Sequence, residues 1–207
     1  MVSAKGLLLV VSGPAGAGKS TVCKKLRAEM PELALSVSVT TRKPRNNEQE
    51  GINYFFRTHE QFEAMRQSGE LLEYAHVYDH FYGTPKEYVL RMMAADSDVL
   101  LEIEMQGALQ VKKHYPDGVF IFVVPPSMKD LYDRMEKRNS ETPESLMKRF
   151  RSAYGELGYL DEYHYLVIND DVDNAVERIK AIICAEKCRV NRNIDLKKAL
   201  LEEADLI

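Results

Sequence analysis

The stretch GPAGAGKST, residues 13–21, sets three glycines, a lysine and two hydroxyls in the spacing G-x-x-x-x-G-K-[ST]. Gly13, Gly16 and Gly18, with Pro14, Ala15 and Ala17 between them, let the backbone curl so that its amides point inward at an anion. Lys19 can reach the outer phosphates of a nucleoside triphosphate, and the Ser20 hydroxyl, followed by Thr21, can ligate Mg2+. The motif specifies a phosphate donor and leaves the acceptor open. Two other clusters carry chemistry. Glu102 and Glu104 in LLEIEMQG stand two apart, which on a strand puts both carboxylates on one side. They could organise a metal ion and its waters or position cationic groups. The run SVSVTTRKPR, residues 36–45, holds three cations and no acid in a chain whose net charge is -4. Arg42 and Arg45 flank Pro44, and guanidinium forks suit a phosphate dianion better than point charges do.

Such groups need a frame. Four short apolar runs, beginning at Gly6, Asp98, Val119 and Tyr165, are nearly continuous rather than alternating, as strands buried on both faces of a parallel sheet are. Helical patterns occupy residues 20–29, 106–114, 129–137 and 172–188. In the last, Val172, Ala175, Val176, Ile179, Ile182 and Ile183 share one face. Strand and helix alternate, which predicts an α/β fold with a parallel sheet whose carboxyl edge carries the ligand. Two segments break the rhythm. Residues 36–88 read as short strands with one helix near 60–68, and residues 126–159 are helical and charged, so both read as insertions covering a site.

In this order along the chain, GPAGAGKST, SVSVTTRKPRNNEQEGINYFF, LLEYAHVYDHFYGT, EIEMQGA, FVVPPS, RMEKRNSETPESLMKRF and VINDD resemble the guanylate kinase family, nearly end to end as far as Cys188. The resemblance implies a P-loop nucleoside monophosphate kinase fold in three parts. These are a core (about residues 1–35, 90–125 and 160–207), an inserted GMP-binding subdomain (about 36–89) and a helical lid (about 126–159). It implies Mg2+-dependent transfer of the ATP γ-phosphoryl group to GMP and dGMP. Arg42, Arg45, Tyr54 and Tyr82 would hold the GMP phosphate, Glu73 would read guanine, Ser38 and Thr84 would contact the base, and Glu102 and Glu104 would face the acceptor. Arg134, Arg138 and Arg149 would close over the ATP phosphates and Asn169 would lie near adenine. Ser20, with Glu102 through a water, would hold Mg2+.

The chemistry supports these roles. A carboxylate accepts two parallel hydrogen bonds from guanine N1–H and the 2-amino group, whereas adenine would leave it unpaired. That difference is worth roughly 10²- to 10⁴-fold. The attacking oxygen belongs to a phosphate with a second pKa of about 6, so no general base is required. Positioning and electrostatics from Lys19, Arg42, Arg134, Arg138 and Arg149 are left to supply catalysis. Four positions depart from the family pattern: Asn47, Glu50, Asn139 and Glu104.

Other classes fit less well. The acidic balance argues against nucleic-acid binding, and the run at Leu7 is too short for a signal peptide or membrane span, so a cytoplasmic location is expected. Cys23, Cys184 and Cys188 match neither a disulfide framework nor a zinc site and read as core or half-buried thiols, and His76 and His80 sit in a β-like aromatic stretch. Two alternatives stay open: a non-catalytic guanylate-kinase-like interaction module, or a P-loop kinase for another phosphorylated acceptor. The tail after Cys188 has a weak helical pattern that could pack on the core or on a second subunit of a homo-oligomer.

Overall fold

The computed structural model describes residues 6–77, 79–137 and 142–204. Its centre is a five-stranded parallel sheet built from β1 (Leu8–Ser12), β2 (Ala34–Leu35), β7 (Val99–Glu102), β8 (Val119–Val124) and β9 (Tyr165–Ile168), in the order β2-β7-β1-β8-β9. Each of the four apolar runs becomes a strand. The two-residue β2 carries too little pattern to be read beforehand.

The apolar runs are continuous because both faces of the sheet are covered. Leu7, Leu9 and Val11 face one side, against Val22, Cys23 and Leu26 of α1 (Lys19–Glu29) and Ala175, Val176, Ile179 and Ile183 of α7 (Val172–Lys187). Leu8 and Val10 face the other, with Val89 of α3 (Lys86–Ala94) and Ala108 and Val111 of α4 (Met105–His114). Each fully buried aliphatic side chain contributes about 1.5–3 kcal/mol. Cys23 lies in this core, where burial pushes its thiol well above the ordinary value. Cys184 and Cys188 prove exposed rather than half-buried, because the buried face of α7 runs through 175, 176, 179 and 183 and they fall off it.

The segment after β2 forms a second sheet of β3 (Val39–Thr40), β4 (Phe55–Phe56), β5 (Leu71–Val77) and β6 (His80–Pro85), ordered β4-β3-β6-β5. β5 and β6 form an antiparallel hairpin, with Val77 opposite His80. α2 (His59–Gln67) starts with a capping box: Gln61 N–H donates to the Thr58 hydroxyl at 3.2 Å and Thr58 N–H donates to the Gln61 side chain at 2.9 Å. α5 (Met128–Glu136) and α6 (Pro143–Glu156) share a small core of Leu131, Met135, Leu146 and Ala153. The tail forms α8 (Ile194–Ala204), which buries none of its residues and leaves Leu196, Leu200 and Leu201 exposed. No helix among the described residues is long and apolar enough to cross a membrane.

Candidate active site

The loop between β1 and α1 is shaped by its glycines. A Cβ on Gly13 would overlap the Val123 carbonyl. Gly18, with φ of 90°, is the N-cap of α1, and a Cβ there would overlap the Asn169 amide. No side chain caps α1, so its first amides remain for an anion. The Lys19 amine donates to the Gly13 carbonyl, and the Ser20 hydroxyl donates to a Glu102 oxygen. Behind the loop, the buried Asn169 amide donates to the Ala17 carbonyl at 2.7 Å. Arg134 donates to the Asn169 carbonyl at 2.9 Å and more weakly to Ala17 at 3.5 Å. From the end of α6, Glu156 accepts the Ala15 N–H at 3.3 Å. Burial and the neighbouring Glu104 push its carboxyl up.

The second sheet builds the facing wall. Glu73, on β5, is only 3% exposed, and the Thr84 hydroxyl donates to its Oε1 at 2.6 Å. Burial first, and then the charge of Glu104, raise the Glu73 carboxyl to about 7, although the Thr84 bond opposes the rise. Tyr54 and Tyr82 stand edge to face at 5.9 Å. Burial pushes the Tyr54 phenol up to about 12, so it remains a donor at neutral pH. Arg42 pairs with Glu48 at 2.7 Å, donates to the Lys43 carbonyl at 2.8 Å and sits 5.5 Å from the centre of the Tyr54 ring. The Arg45 N–H donates to the other Glu48 oxygen at 2.8 Å, so one acid braces both arginines.

One cleft of about 1170 Å3 joins these walls. Pro14, Ala15, Gly16, Gly18, Lys19, Ser20 and Thr21 line it from the loop; Ser38, Arg45, Tyr54, Glu73 and Tyr82 from the second sheet and its connecting segments; Glu102 from the end of β7 and Glu104 from the start of α4; and Arg149 from α6. Six predicted site residues among the described ones lie outside the lining. Gly13 and Ala17 supply backbone carbonyls behind the loop, Gly13 accepting from Lys19 and Ala17 from Asn169 and Arg134. Thr84 acts on Glu73, and Arg42 is turned toward Glu48. Arg138, like the departure Asn139, lies outside the described residues. The expectation that Glu102 and Glu104 share a strand is corrected: β7 ends at Glu102, and Glu104 is the N-cap of α4. Both still reach the cleft because the chain turns there around the buried Ile103. The departure Glu50 braces its own loop, accepting from Phe56 N–H at 2.8 Å and Arg57 at 2.7 Å.

Sequence reasoning missed Lys148 and Ser145, which line the cleft beside Arg149, and the bracing acids Glu48 and Glu156. Charge at helical spacing within α6 could have drawn attention to Lys148. The acids act through folded proximity and leave no local signal.

A phosphate loop at the carboxyl edge of a parallel sheet, opposite an acceptor wall and flanked by a helical cover, defines a P-loop kinase fold of the nucleoside monophosphate class. The family model described as guanylate kinase matches residues 5–186. A guanylate kinase of Caldanaerobacter subterraneus subsp. tengcongensis is 55% identical over 203 residues, covering 98% of both chains. One of Clostridium tetani is 54% identical, covering 91% of this chain and 90% of its own. The crystal structure of guanylate kinase from Anaplasma phagocytophilum superposes with a TM-score of 0.83 at 32% identity, covering 99% and 98% of the two chains. The chain belongs to the guanylate kinase family. It is an enzyme that phosphorylates GMP with ATP.

Proposed function

We propose that the single cleft binds both substrates end to end, with the ATP triphosphate on the loop at residues 13–21 and GMP against the second sheet. The observation that carries this reading is the continuity of the lining from Lys19 to Glu73 and Tyr82. Lys19 and the open amides of α1 neutralise the donor phosphates. Arg45, Tyr54 and Tyr82 hold the GMP phosphate, joined by Arg42 when it exchanges Glu48 for the stronger dianion. Glu73 reads guanine, its orientation fixed by the Thr84 hydroxyl, and Ser38 lies on the same wall.

The chain divides by role into the core, a GMP-binding insertion at about residues 36–89 and a lid at about 126–159 that brings Arg149 and Lys148 over the cleft. Arg138 belongs to the same reading of the lid. The Ser20 hydroxyl and the Glu102 carboxylate, already in contact, form an oxygen donor pair that fits Mg2+. Bound there, Mg2+ would neutralise charge on the donor phosphates. No general base is assigned, because the acceptor oxygen is already ionised. A cytoplasmic location completes the reading.

Measuring ADP formation with GMP, dGMP, AMP, UMP and CMP in parallel tests it. Turnover is expected with GMP and dGMP and is strongly reduced with the other three. Equal turnover with AMP would remove the role given to Glu73. The intact loop lysine and cleft-lining Arg149 speak against a purely binding module.

A further inference from the structure

We infer that helix α4 is the positioning device for guanine selection: Gly107 leaves the space that the Glu73 carboxylate fills, and Gln110 fixes the register of α4 on β5. The inference rests on Glu73 reading the base. Its geometry is independent of that role.

Gly107 is buried in the first turns of α4, against the buried Glu73. A Cβ at position 107 would overlap Glu73 Oε2 outright, stand 2.7 Å from Cδ and meet Cγ at 3.4 Å. The whole carboxyl arm occupies the place of the missing side chain, so this is not the loose end of a flexible chain. Glu73 has little freedom to retreat. Its Oε1 is held by the Thr84 hydroxyl at 2.6 Å, and its backbone is fixed in the β5–β6 ladder opposite Thr84. A methyl group at 107 therefore moves the carboxylate off the position from which it faces the cleft.

The distance between helix and strand is set one turn further on. β5 is an edge strand of its sheet, which leaves outward backbone groups needing partners. Gln110 satisfies two of them: its Nε2 donates to the Tyr74 carbonyl at 2.6 Å, and Tyr74 N–H donates to its Oε1 at 3.2 Å. Residues 107 and 110 share a helical face, and Tyr74 follows Glu73 directly. The amide thus locks the strand beside the gap that Gly107 provides. Because Glu104 stands at the N-cap position of the same helix and lines the cleft, α4 also ties the base-reading carboxylate to the acid at the acceptor end of the core sheet.

The test is steady-state kinetics on the full chain, varying GMP and ATP separately, with AMP as an alternative acceptor. Gly107→Ala is expected to raise KM for GMP at least about tenfold and to erode the preference over AMP, with KM for ATP changed by less than about twofold. The double variant Gly107→Ala/Glu73→Asp, which draws the carboxylate back by one methylene, is expected to recover part of that loss. Glu73→Asp alone should worsen GMP binding, and a general packing defect would not produce that reversal. Gln110→Ala, which removes the bridge without adding bulk, is expected to raise KM for GMP selectively and carries the test if Gly107→Ala does not fold. Unchanged GMP kinetics in either folded variant, or an equal loss for ATP and GMP, overturns the inference. Glu73→Gln is measured beside them. If it leaves KM for GMP unchanged, the assignment of Glu73 itself fails. If it raises KM while Gly107→Ala does not, only the inference about α4 fails.

Discussion

Glu73 shows how one residue's surroundings set its chemistry. Burial holds its carboxyl near 7, with the Glu104 charge adding to the rise and the Thr84 hydroxyl opposing it. On the proposed assignment, guanine N1–H and the 2-amino group need Glu73 ionised, so the free enzyme would be ready for GMP only above that value. KM for GMP is therefore expected to climb as pH falls through about 7. The nucleotide phosphate has its own ionisation at about 6, and in Glu73→Gln only that lower limb should remain. A pH profile of the variant that keeps the limb near 7 would assign it to another group. The same raised value has a consequence for folding. The neutral form is favoured when buried, so any stability Glu73 contributes is present at pH below its unfolded value. It is lost as pH rises through about 7. On the same assignment, a little stability at working pH is given up for an acceptor buried away from water.

At the scale of elements, the sequence announced what tertiary packing makes redundant and hid what it makes unique. The four core strands were legible because burial on both faces leaves nearly every residue apolar, and α7 because its buried residues recur with helical period. α3 escaped notice because Val89 is its one fully buried residue, and β2 because two residues cannot show a period; β3 and β4 were expected only collectively, as short strands within residues 36–88. The end of β7 was carried too far because Glu102-Ile103-Glu104 alternates like a strand, although Glu104 already stands at the N-cap position of α4. In the site, the phosphate loop was legible in local spacing. Glu73 required the resemblance, since nothing in ELLEYA signals that it becomes buried. One local device can be weighed directly. Asp171 ends the VINDD segment and caps α7, its carboxylate accepting from Asp173 N–H at 2.8 Å and Asn174 N–H at 3.3 Å. Asp171→Ala is expected to lower unfolding free energy by about 1 kcal/mol, read by urea denaturation, with kinetics unchanged. A loss of activity without a loss of stability would instead place Asp171 in the site.

Across the whole molecule, the problem is to bring two polyanions together inside an acidic chain. The fold does so by collecting cations from distant parts of the sequence: Lys19 from the first loop, Arg45 from the loop between β3 and β4, and Lys148 and Arg149 from α6. α5 and α6 have their own small core of Leu131, Met135, Leu146 and Ala153, separate from the two clusters on the central sheet. That separation suits the proposed lid role, while Ala15 and the Arg134 hydrogen bonds join the pair to the phosphate loop. Glu156 links the far end of α6 to the phosphate loop through the Ala15 amide. Glu73 lines the cleft from the second sheet, whereas Arg149 lines it from this pair of helices. Its charge should therefore count most while the phosphoryl group is in transit. Arg149→Ala is expected to lower kcat by about 10²- to 10³-fold, the usual effect of removing one charge-stabilising donor, and to change KM for GMP little. Steady-state kinetics with both substrates separates the cases. A loss confined to KM for GMP would move Arg149 to the acceptor site, and an unchanged kcat would mean that α6 shields the reaction without taking part in it.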